Sequence, residues 1–170
     1  SGVVQAFNKF GRRELLNWCN NAYEHVKELD AKYSDWLCIP KSVRMTSIKP
    51  SGTVSLLNGS TPGIHYPEDE YYIRRIRFAA NSDMVPFLIN AGYKVEEDHY
   101  SPNTVCVEFP VHEKHFRKGK RDISIWEQME IAAQYQHYWA DNSVSVTVTF
   151  KPEEAADIKT VLEMYDTRLK

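Results

Sequence analysis

The residues best suited to bind a ligand lie in a short loop, Lys49-Pro50-Ser51-Gly52-Thr53-Val54-Ser55, which follows a predicted strand. Its glycine lets the backbone approach a ligand, and it carries three hydroxyls within five residues. If residues 53–57 start a helical turn, the N–H groups of that turn and the hydroxyls converge on a point suited to a phosphate. The loop has neither the Walker nor the dinucleotide glycine spacing. Two interpretations stay open: a phosphate-binding loop, or a turn whose hydroxyls cap a helix.

A second loop, residues 58–67, contains two glycines and two prolines. Loops of this length without regular structure usually serve a site or are disordered. Its His65 has the chemistry of a base or a metal ligand. A lone loop histidine is more often a hydrogen-bonding residue, and the sequence favours that interpretation.

Other metal-ligating residue types do not form a convincing site. His112 and His115 have an H-x-x-H spacing within a run of basic residues, but no third ligand is nearby. Cys19, Cys38 and Cys106 are widely spaced, which argues against disulfides and zinc. Cys19 and Cys106 fall on apolar faces and are expected in the core. This cysteine usage is typical of a reducing compartment, and we expect a cytoplasmic protein.

Three arginines alternate along a tyrosine-rich predicted strand, at positions 74, 75 and 77. On such a strand they could bind phosphates or stack on bases. Three acidic residues, 68–70, lie directly upstream, and ion pairing with these acids is the favoured interpretation.

Composition narrows the classes of protein. The chain has 170 residues, of which 42% are hydrophobic, with 21 basic and 23 acidic residues. That is enough apolar material for a core, and the charge argues against binding nucleic acid by electrostatics alone. No apolar run is long enough to cross a bilayer, and residues 1–5 lack the features of a secretory signal. The first residue is not Met, so we expect a processed product or a piece of a longer protein.

Periodicity predicts the elements that must position these residues. An apolar stripe at three- and four-residue steps predicts a long helix from Leu15 to Trp36, facing a core. Ser124 and Glu127 form a capping box at the start of another helix that runs to about Tyr138. Further helices are predicted at 82–89 and from Pro152, and strands at 43–48, 71–78, 103–111 and 143–150. The alternation of helices and strands predicts an α/β fold with parallel crossovers.

Four stretches, in this order, resemble one family: Ile48–Leu57 with Thr61–Pro67, then Tyr71–Arg77, Thr104–Pro110 and Trp139–Phe150. They are similar to the adenosylcobalamin-dependent (class II) ribonucleotide reductases, most of all to the monomeric ribonucleoside-triphosphate reductase branch. The resemblance covers nearly the whole chain. It implies that residues 1–170 are a single segment, the later half of the family's ten-stranded α/β barrel, and a piece of a longer protein.

The resemblance also implies a role for the first loop. Family members hold the phosphates of the substrate, here a ribonucleoside triphosphate, with backbone N–H groups and hydroxyls of the matching loop. The residues concerned are Pro50, Ser51, Gly52, Thr53, Val54 and Ser55. The same role follows independently from the chemistry of the loop, so the resemblance strengthens the phosphate-binding interpretation.

For the full enzyme, the resemblance implies adenosylcobalamin as cofactor, with the rest of the barrel and a thioredoxin-like reductant as partners. No cysteine of this chain lies in a motif that matches the family's radical cysteine or its reducing cysteines. No catalytic residue and no metal ligand is therefore assigned. Two positions depart from the family pattern: residues 68–70 are acidic, and Ser143 replaces a glutamine. The acidic stretch would repel a triphosphate if it faced the site.

Two alternatives remain. The chain could be a stand-alone nucleotide- or phosphate-binding module without catalysis. It could also be a nucleic-acid interaction domain that uses the tyrosines and arginines of residues 71–77, although its near-neutral charge disfavours this.

Overall fold

The computed structural model describes residues 1–52 and 54–170, so Thr53 lies outside the described residues. The chain divides into two compact units. The larger unit comprises residues 1–68 and 115–170, and the smaller unit comprises residues 69–114. The elements, in chain order, are α1 (Val3–Phe10), α2 (Arg12–Leu37), α3 (Val54–Leu57), β1 (Tyr71–Ala79), α4 (Met84–Asn90), β2 (Lys94–Glu97), β3 (Thr104–His112), α5 (Ile125–Tyr138), a 3₁₀ helix (Pro152–Asp157) and α6 (Ile158–Tyr165).

The long helix α2 is confirmed, but its predicted burial is wrong for most of its length. Gly11 precedes the helix, and Cys38 ends it in the left-handed conformation, with φ of 53°. Ser34 is its buried residue. The apolar stripe is largely exposed, since Trp18 and Trp36 show 44% and 67% of their surface. No helix among residues 1–52 and 54–170 is long and apolar enough to cross a membrane.

Helix α5 is the centre of the larger unit, because both hydrophobic clusters of that unit include its residues. One cluster joins α5 to the candidate loops and consists of Ile48, Ile64, Ile131, Ala132 and Tyr135. The other joins α5 to α6 and consists of Ile125, Met129, Ala133, Val161 and Tyr165.

One of the two hydrogen bonds of the capping box predicted at the start of α5 is present. The Ser124 hydroxyl accepts a hydrogen bond from Glu127 N at 3.1 Å. The Glu127 carboxylate does not return to the backbone of Ser124 in the way we expected. Its Oε1 instead accepts a hydrogen bond from the Tyr66 hydroxyl at 3.1 Å. Burial, reinforced by the Glu127 charge, raises the pKa of Tyr66 to about 12.

Two predicted strands, 43–48 and 143–150, are not strands among the described residues. Neither segment forms a helix or a regular ladder of backbone hydrogen bonds, and isolated backbone hydrogen bonds link the two. Ser145 N donates to Ile48 O, and Asn142 N donates to Thr46 O, each at 3.3 Å. Alternation of apolar residues is not sufficient for a strand, because a strand also needs a continuous partner.

Two glutamine side chains of α5 make many of the hydrogen bonds that a partner strand would make. Gln136 Nε2 donates to Ala140 O at 2.7 Å and to Asn142 O at 3.1 Å, and its Oε1 accepts from Val144 N at 3.1 Å. Gln128 Nε2 donates to Thr149 O at 2.6 Å, and its Oε1 accepts from Thr149 N at 2.9 Å. The two amides therefore hold both ends of the extended segment 142–149.

The smaller unit contains an antiparallel sheet, in the order β1-β3-β2. Strands β1 and β3 agree with prediction, and β1 alternates in burial along its whole length. The expected parallel arrangement is wrong for this sheet. Six residues separate β2 from β3, which suits antiparallel neighbours, whereas a parallel pair needs a crossover of about a dozen residues.

We expect Gln136→Met to destabilise the protein by about 1–3 kcal/mol, because it leaves a buried N–H and two carbonyls without their partner. Urea unfolding of the full-length protein that contains this segment measures the change. Asn21→Leu, on the exposed part of α2, is a matched amide-to-apolar control and should be nearly neutral. Equal stability of the two variants would contradict this role.

Glu130 carries a charge network in the middle of helix α5. Its carboxylate accepts hydrogen bonds from Arg168 at 2.8 and 3.1 Å, from Gln134 at 2.8 Å and from the Tyr165 hydroxyl at 3.0 Å. These bonds, that of Arg168 foremost, lower the pKa of Glu130 from 4.5 to about 2.

Because the pKa of Glu130 is lower in the folded chain, its stabilisation is present above pH 4.5 and declines as the pH falls towards 2. We expect Glu130→Gln to be less stable than the wild type at neutral pH, with the difference shrinking over that range. Unfolding curves at several pH values measure it. Glu163→Gln, at an exposed carboxylate that pairs with Lys159 at 3.8 Å, should show little pH-dependent difference. A Glu130→Gln difference that does not change with pH contradicts the assignment.

Candidate functional site

The two candidate loops lie against each other. Gly63, in the second loop, has φ of +53°, and a Cβ atom built there would lie 3.3 Å from Pro50 Cα in the first loop. A side chain at this position would therefore be strained and crowded. The absence of a side chain at Gly63 lets the backbones of the two loops approach closely.

Ser55 joins the same loops through hydrogen bonds. It is 2% exposed, and its hydroxyl donates to Ser51 O. Its carbonyl accepts from Asn58 N at 3.2 Å and from Ser60 N and Oγ at 2.9 and 3.0 Å. The side chain of Ser55 thus shapes the loop from within, because it donates to a carbonyl four residues earlier.

The other proposed phosphate-binding residues are at or near the surface. Pro50 and Gly52 are exposed, Ser51 is partly buried, and Val54 is 61% exposed. Thr53 lies outside the described residues. The helical turn that was expected here is present as α3, a single turn after Gly52. The described part of the loop thus presents backbone and one serine hydroxyl near the surface, beside a buried serine.

The N-terminal helix α1 anchors the second loop, a contact that sequence reasoning missed. Gly2 N donates to Thr61 O at 2.8 Å, and Gln5 Oε1 accepts from the Thr61 hydroxyl at 3.0 Å. Thr61 is 1% exposed. Nothing local in the sequence links residues that lie 56 positions apart.

His65 is a hydrogen-bonding residue, as the sequence favoured. Its Nδ1 lies 3.0 Å from Pro62 O, and its Nε2 accepts from Thr147 N at 2.9 Å. This pair of bonds requires the neutral tautomer with the proton on Nδ1. Among the residues that the structure describes, no group of three or more His, Cys, Asp or Glu side chains could hold a metal ion.

Lys49 is directed at the same extended segment that His65 contacts. Its ammonium donates a hydrogen bond to the Ser145 hydroxyl. Ser145 also donates its backbone N–H to Ile48 O at 3.3 Å. The first loop and the second loop are therefore both attached to segment 142–149, at residues two apart.

Asp141, which the sequence did not single out, holds the backbone just before the first loop. Its carboxylate accepts from the Tyr23 hydroxyl at 2.7 Å, from Met45 N at 2.8 Å and from Thr46 N at 3.3 Å. Burial alone would raise the pKa of Asp141, but these hydrogen bonds hold it below the ordinary value. The aspartate lies in a family-like stretch, which was the one available signal.

In the smaller unit, the arginines are paired, but not with the acids that we expected. Arg75 contacts Glu96 at 2.7 Å and Glu108 at 3.8 Å, and Arg77 contacts Asp98 at 3.0 Å. These partners come from β2, β3 and the residue after β2, rather than from residues 68–70. The register of the sheet, which the local sequence does not reveal, sets this pairing.

The cysteines have the structural roles that were expected for two of them. Cys106 is 4% exposed in β3. Cys19 packs against the core around α5, and burial raises the pKa of its thiol. Cys38 is exposed at the end of α2.

Comparison with known proteins finds relatives among ribonucleotide reductases. The chain is 48% identical over 171 residues to a probable adenosylcobalamin-dependent ribonucleoside-triphosphate reductase of Dictyostelium discoideum, a match that covers 100% of the chain and 23% of the relative. An adenosylcobalamin-dependent ribonucleoside-triphosphate reductase of Euglena gracilis is 45% identical over 172 residues, covering 100% of the chain and 24% of the relative. The chain is similar to this family over its whole length.

A solved structure supports the same relation. The crystal structure of a B12-dependent (class II) ribonucleotide reductase matches 92% of this chain and 22% of its own, with a TM-score of 0.78 and 35% identity. No protein-family model matches the chain. The chain spans about a quarter of the length of the curated relatives it matches. The chain has a mixed α/β fold with a small antiparallel sheet.

Contact between the two loops can be tested by two glycine substitutions. Gly63→Ala and Gly59→Ala both place alanine at positive φ, which costs about 1–2 kcal/mol, but a Cβ at Gly59 meets nothing within 4 Å. We expect Gly63→Ala to be the more destabilising. Thermal unfolding measures the effect. Equal effects of the two variants would show that the loops do not depend on this approach.

Proposed function

We propose that this chain is part of an adenosylcobalamin-dependent ribonucleoside-triphosphate reductase, an oxidoreductase that converts ribonucleotides to 2′-deoxyribonucleotides. In this proposal residues 1–170 form one segment, the later half of the catalytic barrel, and residues 50–55 hold the substrate phosphates. The observation that carries the proposal is the joining of the two family-like loops through Ser55 and the close approach of Gly63 to Pro50.

Within the loop, the residues take different roles. The Ser51 hydroxyl and the backbone N–H groups of Gly52 and Val54 bind the phosphates, because Gly52 and Val54 are exposed and amide N–H groups are good anion ligands. Ser55 is a positioning residue, since its hydroxyl is committed to Ser51 O. Thr53 contributes its hydroxyl by resemblance to the family.

The loop is supported before any ligand binds. Lys49 and His65 attach the two loops to segment 142–149, and Asp141 fixes residues 45 and 46 just upstream. A loop that is already ordered loses less conformational freedom on binding, so more of the contact energy becomes affinity.

The acidic stretch that departs from the family pattern is neutralised at its first residue. Glu68 forms an ion pair with Lys120. This pairing supports a triphosphate substrate, because the Glu68 charge is compensated within its own unit and repels an anion less.

His65 offers adenosylcobalamin no ligand, because both of its ring nitrogens are in hydrogen bonds. Cys106 is buried, Cys19 is half-buried and Cys38 is exposed at the end of α2. We assign this segment to the substrate, and none of its residues to the cofactor or to thiol chemistry, because no cysteine lies in a motif that matches the family. A thioredoxin-like reductant would serve the full enzyme through residues beyond this segment.

The exposed stripe of α2 supports a partner within the same enzyme. Trp18, Tyr33 and Trp36 show 44–67% of their surface, and fully burying such a side chain is worth about 1.5–3 kcal/mol. We propose that the remainder of the reductase barrel covers this stripe. The stripe also argues against a stand-alone module, which would leave a large apolar face in water.

In the full-length reductase, Ser51→Ala should weaken ribonucleoside triphosphate binding by about 1–3 kcal/mol, the value of a hydrogen bond to a charged group. Ser55→Ala should instead lower the midpoint of thermal unfolding, with a smaller and secondary loss of affinity. Titration calorimetry and thermal unfolding separate the two results.

Ser47→Ala is the matched control, because Ser47 is an exposed serine outside the loop, and we expect it to change neither property. If Ser51→Ala and Ser55→Ala both bind the nucleotide as the wild type does, the loop does not hold the substrate phosphates.

A further inference from the structure

The second loop begins with the dipeptide Asn58-Gly59, the one place in the chain where glycine follows asparagine. Both residues are exposed. Gly59 has φ of +60°, and a Cβ atom built there would meet nothing within 4 Å. Water therefore reaches this dipeptide, and the space beside Gly59 is open.

An asparagine that precedes glycine can react with its own backbone. The nitrogen of Gly59 attacks the side-chain carbonyl carbon of Asn58, Cγ, and closes a cyclic succinimide. In this step the bond between Gly59 N and Cγ forms, the bond between Cγ and Nδ2 breaks, and the amide nitrogen leaves as ammonia. Glycine favours the attack, because it has no Cβ to hinder the approach and its backbone rotates freely.

Water then opens the succinimide at either of its carbonyl carbons. Breaking the bond from Gly59 N to Cγ gives aspartate. Breaking the bond from Gly59 N to the main-chain carbonyl carbon of Asn58 gives isoaspartate, in which the backbone runs through the former side chain. Water is consumed and ammonia is released, with no oxidant or reductant. Either product carries a negative charge where the amide was neutral.

The hydrogen bonds of this turn lie on either side of the attacking nitrogen. Asn58 N and Ser60 N donate to the Ser55 carbonyl at 3.2 and 2.9 Å. Closing the ring requires a brief local opening of these bonds. The preceding helix α3 has four residues, and so short a helix has little stability of its own. The opening therefore costs little free energy.

Asparagines that precede serine have less favourable surroundings. Asn81 is exposed, but the nitrogen that would attack it, Ser82 N, donates to Ala79 O at 2.9 Å. The Asn142 side chain is held, since its Oδ1 accepts from Arg44 at 3.0 Å. In both pairs the serine also carries a Cβ that hinders attack. These contrasts single out Asn58.

We propose that Asn58 is a site of deamidation through a succinimide, with Gly59 N as the attacking group and water as the second reactant. The products place a carboxylate three residues from Ser55. Isoaspartate also lengthens the backbone by a methylene group before Gly59, so Ser60 N no longer reaches the Ser55 carbonyl in the same geometry. Deamidation therefore loosens the turn that joins the two candidate loops.

A second consequence rests on the proposed function of residues 50–55. Ser55 connects the reacting pair to that loop, because its hydroxyl donates to Ser51 O while its carbonyl accepts from Asn58 N. A bound ribonucleoside triphosphate that stabilises the loop opposes the opening that the attack requires. Deamidation then acts mainly on the enzyme without substrate.

The modification is tested by incubating the full-length reductase at neutral and mildly alkaline pH and mapping its peptides by mass spectrometry. We expect Asn58 to give isoaspartate and aspartate, faster at alkaline pH because Gly59 N must lose its proton, while Asn81 stays largely unchanged. An unconverted Asn58, or equal conversion of Asn81, would overturn the proposal. Aspartate without isoaspartate would indicate direct hydrolysis of the amide and overturn the route through Gly59 N.

Two glycine variants separate hindrance of the attack from loosening of the loops. Gly59→Ala adds a Cβ beside the attacking nitrogen in open space, and we expect it to slow conversion of Asn58 several-fold. Gly63→Ala disturbs the contact between the loops and leaves the Asn58-Gly59 pair in place, so it should not slow conversion. Equal rates in the two variants would contradict attack by Gly59 N.

Incubation with a ribonucleoside triphosphate tests the second consequence. At about ten times its Kd, a nucleotide that must leave before the loop opens lowers the rate at Asn58 about tenfold. Deamidation that nucleotide does not slow would contradict the phosphate role of residues 50–55 and leave the modification site standing. Absence of deamidation without nucleotide would overturn the modification site alone.

Discussion

The extended segment 142–149 imposes the main constraint on the larger unit, because its backbone needs hydrogen-bond partners and the described residues offer it no neighbouring strand. Five separate groups meet this need. Gln136 and Gln128 bind its two ends, Thr46 O and Ile48 O accept from Asn142 N and Ser145 N, and His65 Nε2 accepts from Thr147 N. Helix α5, residues 46–48 and the second loop must therefore keep their relative positions for all of these bonds to form.

This arrangement also holds the loops of the candidate site in place. Lys49 starts the first loop and reaches Ser145, while His65 lies in the second loop and reaches Thr147. Between these attachments, Ser55 and Gly63 bring the two loops together. The proposed phosphate ligands thus lie on a short chain that is held at several points. Such a loop can present amide N–H groups without first having to fold around the anion.

Sequence patterns predicted α2, α5, β1 and β3 because apolar periodicity directly reports helices and strands. They also identified the two loops, since glycine, proline and hydroxyl residues mark them. They did not predict that residues 43–48 and 143–150 lack a ladder, because alternation reports burial and not the presence of a partner strand. The cross-strand partners of Arg75 and the bonds of Asp141 were missed for a related reason. Those contacts join residues 21 to 118 positions apart, and only the folded chain brings them together.

Helix α2 leaves apolar side chains exposed, and this exposure bears on how the candidate site is held. A helix of 26 residues with an apolar stripe gains most of its stability from burying that stripe, yet Trp36 and Leu37 are each 67% exposed. Its Tyr23 also donates to Asp141, which holds the residues before the first loop. Covering the stripe would stabilise α2 and, through Tyr23, the start of the loop. Packing against α2 at that distant face would therefore contribute to the order of the proposed phosphate site.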